Sequence, residues 1–168
     1  QSDIKTDGTS IEHRRRSLIL ERQRIADAPA AVVVGGGLVG TELALDIATY
    51  FPGKKVEWLS GNQKLLSRIK GAHEVCTEVV DREAQKGTLQ LSLGERGIAV
   101  DDDGRISTDK GNKTTAGARA FWCTGYRPNN AFMRDPRTNG AVGSCLDEEG
   151  FIAALPTHQL AHPDLKHV

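Results

Sequence analysis

The chain reads as an α/β fold of three layers, with a central parallel sheet and an added antiparallel β-meander. Three observations predict it. A short apolar run, Ala30–Val34, ends in a Gly-x-Gly-x-x-Gly turn that opens onto an amphipathic helix. A second apolar strand completes a βαβ unit of about 30 residues, and a right-handed crossover sets the two strands parallel. Further along, residues 97–122 alternate short strands with Asp103-Gly104 and Gly111-Asn112 turns, the pattern of a meander.

Taken in order, residues 1–10 are polar and expected to be loose. Thr9 and Glu12 have capping-box spacing and predict a helix to about Asp27, where Pro29 stops it. Ile11, Leu18 and Ile25 give that helix a narrow apolar stripe, and Glu12 stands one turn before Arg16, so Arg14-Arg15-Arg16 reads as a solvated face. Ala30–Val34 is the first strand. The helix after it runs to about Phe51, with Ala44, Ile47, Ala48 and Phe51 on one face, and Pro52-Gly53 ends it. Residues 55–60 form strand two and 61–68 a loop. A third helix is expected from Ile69 to Lys86, with Ile69, Ala72, Cys76, Val79 and Val80 inward and Gly87 as its cap. Leu89–Leu93 alternates as a strand, and the meander ends in a strand over 118–123. Beyond Gly125 only Gly150–Ala153 suggests a strand.

Composition narrows the function. The 168 residues are 38% hydrophobic and 26% charged, ordinary for a globular domain. Twenty-two Lys and Arg balance 22 Asp and Glu, which argues against a nucleic-acid-binding domain, whose signature is a basic surplus. No apolar run approaches the ~20 residues of a membrane span. The N-terminus has no apolar signal core and no initiator Met, so the chain reads as an excerpt with no visible targeting signal. Cys76, Cys123 and Cys145 are an odd set without Cys-x-x-Cys, which suits an intracellular reducing compartment.

The glycine turn carries the chemistry. Gly35 permits the tight turn, Gly37 lets a pyrophosphate approach the backbone, and Gly40 lets helix and strand pack closely. Gly36 completes the turn, and Leu38 and Val39 offer amides at the positive end of the helix dipole. The end of strand two selects the cofactor: an acid there bonds a ribose 2′-hydroxyl, and a basic residue accepts a 2′-phosphate. Here Ser60 holds that place, followed by Gly61, Asn62, Gln63 and Lys64. Without the acid, both NADH and NADPH are expected to bind, with Lys64 or Arg68 available to a phosphate. Three other signals are set aside. Asp101-Asp102-Asp103-Gly104 lacks the closing carboxylate of a calcium loop and reads as a hairpin turn. His158 and His162 have i, i+4 spacing, but prolines bracket them and no third ligand stands nearby. Cys76 lies on an inward helix stripe and reads as core.

Four stretches occur in order: Val32–Ala44 (VVVGGGLVGTELA), Pro52–Val56 (PGKKV), Lys86–Glu95 (KGTLQLSLGE) and Phe121–Asn129 (FWCTGYRPN). Together they resemble the NAD(P)H-binding domain of the two-dinucleotide flavoprotein oxidoreductases, the pyridine nucleotide-disulfide oxidoreductase superfamily. Within it they look like the apoptosis-inducing-factor-like branch, with its ferroptosis-suppressor-type quinone reductases. The resemblance covers about residues 11–168. It implies a Rossmann-like FAD/NAD(P)-binding fold in which this domain is inserted into an FAD-binding domain that lies outside the chain. Residues 1–28 would then be a leader and connector helix, 29–127 the NAD(P)H-binding domain, and 128–168 a return connector toward the FAD domain. By the same resemblance Glu42 reaches the nicotinamide end. Gly125 would let the chain pass the dinucleotide, and Cys123 and Thr124 would floor the site.

The reading that follows is hydride transfer from NAD(P)H to an FAD held elsewhere, with electrons passed to a quinone-like acceptor and no side chain here acting as acid or base. Cys123 has no partner thiol nearby and reads as a packed strand-end residue rather than a redox thiol. A non-catalytic dinucleotide-sensing module is the alternative. A dehydrogenase acting directly on substrate is disfavoured by the lack of Tyr-x-x-x-Lys and of a His–Asp pair.

Overall fold

The computed structural model describes residues 10–125, 128–134 and 143–162. It divides into two compact units, Gln1–Gly125 and Tyr126–Val168. In the first, the order is α1 (Ile11–Asp27), β1 (Ala30–Val34), α2 (Leu38–Tyr50), β2 (Lys55–Ser60), α3 (Ala72–Ala84), β3 (Leu89–Leu93), β4 (Gly97–Val100), β5 (Ile106–Thr108) and β6 (Arg119–Trp122).

Four strands form one sheet in the order β3-β2-β1-β6, all parallel. β1 is wholly buried, as a central parallel strand covered on both faces must be. Its side chains alternate. Ala31 and Val33 join Ala44, Ile47, Trp58, Val80 and Phe121 in one core, which the helices cover. Val32 and Val34 join Leu59 and Ile106 in a second, beneath the β4–β5 hairpin. Helices on one face and a hairpin on the other make the three layers that the sequence predicts.

Several boundaries differ from the sequence reading. Ser10, not Thr9, caps α1, its hydroxyl accepting from the His13 amide at 3.1 Å; Thr9 lies outside the described residues. Of the expected α1 stripe only Ile25 is buried. Ile11 is 90% exposed, and the inward place one turn before Ile25 belongs to Glu21. α3 begins at Ala72 because Gly71 takes a left-handed conformation (φ +78), leaving Ile69 exposed in the preceding turn. The meander is shorter than expected. Only β4 and β5 pair antiparallel, with one further bridge, Ser107 to Lys113. The third strand leaves them and joins the main sheet parallel to β1, because Phe121 is buried there. The predicted Asp103-Gly104 turn is present, with Gly104 at φ +74.

The second unit has 3-10 turns at Ala131–Arg134 and Gly143–Cys145. The strand expected at Gly150–Ala153 is reduced to isolated bridges, Leu146 to Ile152 and Ala154 to Leu160. His158 sits in a turn at φ +66, so it shares no helix face with His162. Among the described residues no helix is long and apolar enough to cross a membrane.

Candidate functional site

All four parallel strands end at the same sheet edge. The chain runs β1, β2, β3 outward in one direction and then returns to the other side of β1 with β6. That reversal makes a topological switch point between β1 and β6, the place where open α/β sheets bind ligands outside the carboxyl ends of their strands.

The glycine turn lies there. Cys123 donates its amide to the Val34 carbonyl at 2.7 Å, and Gly35 donates its amide to the Leu59 carbonyl at 2.8 Å, so the turn is stitched to both neighbouring strand ends. Gly35 has φ +127, and a Cβ on it would overlap the Cys123 carbonyl oxygen. No L side chain fits either constraint. A Cβ on Gly40 would overlap the Gly35 carbonyl, so Gly40 brings helix against turn. One on Gly36 would overlap the Ser60 hydroxyl. Gly37, the N-cap of α2, is different: a Cβ there meets nothing within 4 Å. Three glycines are thus required by packing, and the fourth faces open space above the helix end. Leu38 and Val39 are 57% and 64% exposed, so the first turn of α2, whose amides have no intrahelical acceptor, is accessible.

The other predicted residues fall into two groups. Cys123 and Thr124 lie against Gly35 and Gly40, and Gly125 leaves the site exposed at φ +104. Burial pushes the Cys123 thiol pKa up, as it does that of Cys76 in the core. Neither is poised as a thiolate. At the end of β2, Ser60 is buried and its hydroxyl donates to the Asn62 carbonyl at 3.3 Å. The loop above it carries Gly61, Asn62 and Lys64 exposed, with the Asn62 amide donating to Ser67 Oγ at 3.1 Å. Glu42, one turn into α2, is exposed.

Three site residues escaped the sequence reading. Trp58 is fully buried, and its indole N–H donates to the Gly35 carbonyl at 2.8 Å. Leu66 holds a left-handed φ of +50 while its amide donates to the Gly36 carbonyl at 2.8 Å, folding the loop back over the turn. Arg96 follows β3 and lies across Gly61. None carries a local sequence signal, since each contact joins residues far apart in the chain. A polar cleft of about 360 Å³, lined by Glu57, Gln90, Ser92, Glu95 and Lys113 among others, includes none of the predicted site residues. No group of three or more His, Cys, Asp or Glu among the described residues is placed to hold a metal ion.

Comparison with known proteins gives this geometry its relatives. A nitric oxide reductase FlRd-NAD(+) reductase of Vibrio vulnificus is 29% identical over 130 residues, covering 76% of this chain and 33% of the relative. An NADH oxidase of Enterococcus faecalis is 28% identical over 141 residues, covering 77% of this chain and 29% of that protein. The chain thus spans about a third of the length of these relatives. Among solved structures, a pyridine nucleotide-disulfide family oxidoreductase from Enterococcus faecalis V583 shares the fold with a TM-score of 0.63 at 16% identity, over 84% of this chain and 31% of that one. The family model described as pyridine nucleotide-disulphide oxidoreductase matches residues 5–165. With the match running through both strands that flank the glycine turn, the chain belongs to the pyridine nucleotide-disulphide oxidoreductase family.

Proposed function

We propose that this chain is the NAD(P)H-binding domain of a flavoprotein oxidoreductase, and that the full-length protein transfers hydride to an FAD held by residues outside it. The observation that carries the reading is the meeting of Gly35 and Cys123 at the switch point, beneath the open first turn of α2. The residues fit a dinucleotide: three glycines bring backbone and helix end together, and Gly37 leaves the approach to those amides clear. Relatives named as an NAD(+) reductase and an NADH oxidase support the nicotinamide assignment.

In this reading Gly35, Gly36, Gly37 and Gly40 cradle the pyrophosphate, with the Leu38 and Val39 amides facing it. Ser60, Gly61, Asn62 and Lys64 bound the adenine ribose. Cys123, Thr124 and Gly125 form the floor, and Glu42 stands toward the nicotinamide end. The bound dinucleotide supplies the hydride, and the protein supplies position and electrostatics. No side chain of the site need donate or accept a proton. The four motif stretches further support an apoptosis-inducing-factor-like branch with a quinone-like acceptor.

The test is the absorbance of the full-length protein titrated anaerobically with NADH and with NADPH. Bleaching of a flavin band by either is the expected result. A full-length protein that binds dinucleotide but holds no flavin would instead be a sensor, and the hydride-transfer reading would fall. Both dinucleotides are expected to bind the chain, within about a hundredfold of one another.

A further inference from the structure

We propose that Arg96 selects the 2′-phosphorylated dinucleotide, NADPH, over NADH; this assignment rests on the dinucleotide reading of the glycine turn.

The end of β2 carries no acid. Ser60 turns its hydroxyl beneath Gly36, and Gly61 has no side chain at all. Arg96 occupies the space that a residue at 61 would need. A Cβ on Gly61 would stand 2.6 Å from Arg96 Cγ and 2.8 Å from its Nε. The stem of a cation therefore lies over the position next to the one where NAD-binding sites place a carboxylate.

Backbone bonds hold the residue in place. Arg96 donates its amide to Asp109 Oδ1 at 2.9 Å, and Asp109 donates its own amide to the Arg96 carbonyl at 3.0 Å. On the preceding residues, Glu95 donates its amide to the Ser60 carbonyl at 2.9 Å, and Gly94 donates to the Asn62 carbonyl at 3.0 Å. The segment after β3 is thus tied both to the end of β2 and to the hairpin.

The charge balance agrees. The neighbouring Glu95 carboxylate is buried and accepts from Thr108 Oγ1 and Asn112 Nδ2, at 2.7 and 2.9 Å. None of the ion pairs among the described residues uses the Arg96 guanidinium, Lys64 or Arg68. A guanidinium presents several N–H donors in a plane that matches phosphate oxygens, and its charge-assisted bonds are roughly twice as strong as neutral ones. A ribose 2′-hydroxyl gains far less from the same group.

The experiment measures binding of NADPH, NADH, 2′,5′-ADP and 5′-AMP to the 168-residue chain by calorimetry, in the native sequence and in Arg96→Gln and Arg96→Lys. The native chain should bind NADPH about tenfold more tightly than NADH. Arg96→Gln should remove that advantage, and the matching advantage of 2′,5′-ADP over 5′-AMP, by weakening NADPH far more than NADH. Arg96→Lys should keep part of it. A native chain with no NADPH advantage overturns the assignment, as does an Arg96→Gln chain that retains the advantage or weakens both dinucleotides equally. In each of those cases the dinucleotide reading survives. If the folded native chain binds neither dinucleotide, that reading fails and takes the Arg96 assignment with it.

Discussion

At the scale of single residues, the glycine turn depends on a bond that no motif describes. Its first carbonyl, on Gly35, is held by the Trp58 indole from the neighbouring strand. That carbonyl must also clear Gly40, so its direction fixes how closely α2 approaches. Trp58→Phe keeps an aromatic ring in the core and removes the donor. The lost bond and the space left by the smaller ring should together cost about 2 kcal/mol in denaturant unfolding. Dinucleotide affinity should fall several-fold at temperatures where the variant is still folded, because the turn is freed to rotate. Unchanged affinity in a folded Trp58→Phe chain would show that the indole merely fills space. Burial raises the Cys123 thiol pKa, and its carbonyl rather than its sulfur meets the turn, so its place in the site is structural.

Between elements, the join the sequence hid is the one that holds α1. A helix with a single buried apolar residue would dock weakly. Glu21 and Arg119 hold it instead. Arg119 on β6 donates through Nε and Nη2 to the two Glu21 carboxylate oxygens at 2.6 and 2.8 Å, a bidentate pair in which Glu21 is nearly fully buried. Removing Arg119 leaves the buried Glu21 carboxylate only the longer contact from Arg24 Nη1 at 3.4 Å, so Arg119→Met should destabilise the chain by about 1–3 kcal/mol. Glu21→Leu combined with Arg119→Met should recover a good part of that loss. Chemical denaturation of the two single variants and the double gives the coupling directly, and strictly additive losses would refute the pairing as the anchor. The start of α3 was equally hidden. Ile69 continues the apolar period, but the left-handed turn at Gly71 breaks the helix before the period can be used. Periodicity reports which residues would share a face. It does not report where a helix begins.

Across the molecule, stability at acid pH follows from how the layers are fastened. Glu95 is held below the ordinary carboxylate range by bonds from Thr108 and Asn112. In Glu57 burial pushes the other way, but bonds from Lys55 and Thr115 outweigh it and the net shift is also downward. Both carboxylates tie the β4–β5 hairpin and the segment after it to the main sheet. A lowered folded-state pKa means that the ionised form is favoured in the native chain. The stabilisation is therefore complete above about pH 5 and is lost as pH falls through the lowered values. Glu95→Gln should reduce stability at neutral pH and flatten the acid limb of the stability curve. Hydrogen exchange should show the hairpin amides losing protection before those of β1 as pH drops. An acid limb identical in Glu95→Gln and the native sequence would exclude this carboxylate as a fastener.

The sequence by itself determined the fold class, the βαβ unit and the place of the glycine turn. Those features depend on neighbours a few residues apart: apolar period, turn residues, and glycines where a backbone must pass close to another. β1, β2, α2 and β3 were legible for that reason, and so was the strand–turn–helix that is proposed to cradle a dinucleotide. Only the tertiary structure decided what surrounds the turn. It carried β6 out of the meander to the far side of β1, because Phe121 is buried in the main sheet, and so created the switch point. It set Trp58 under the Gly35 carbonyl, Leu66 over Gly36 and Arg96 across Gly61, although 23, 30 and 35 residues of chain separate those pairs. Contacts of that range arise from the packing of whole strands and leave no local pattern. The turn was written in the sequence, and the neighbours proposed to set its specificity were assembled by the sheet.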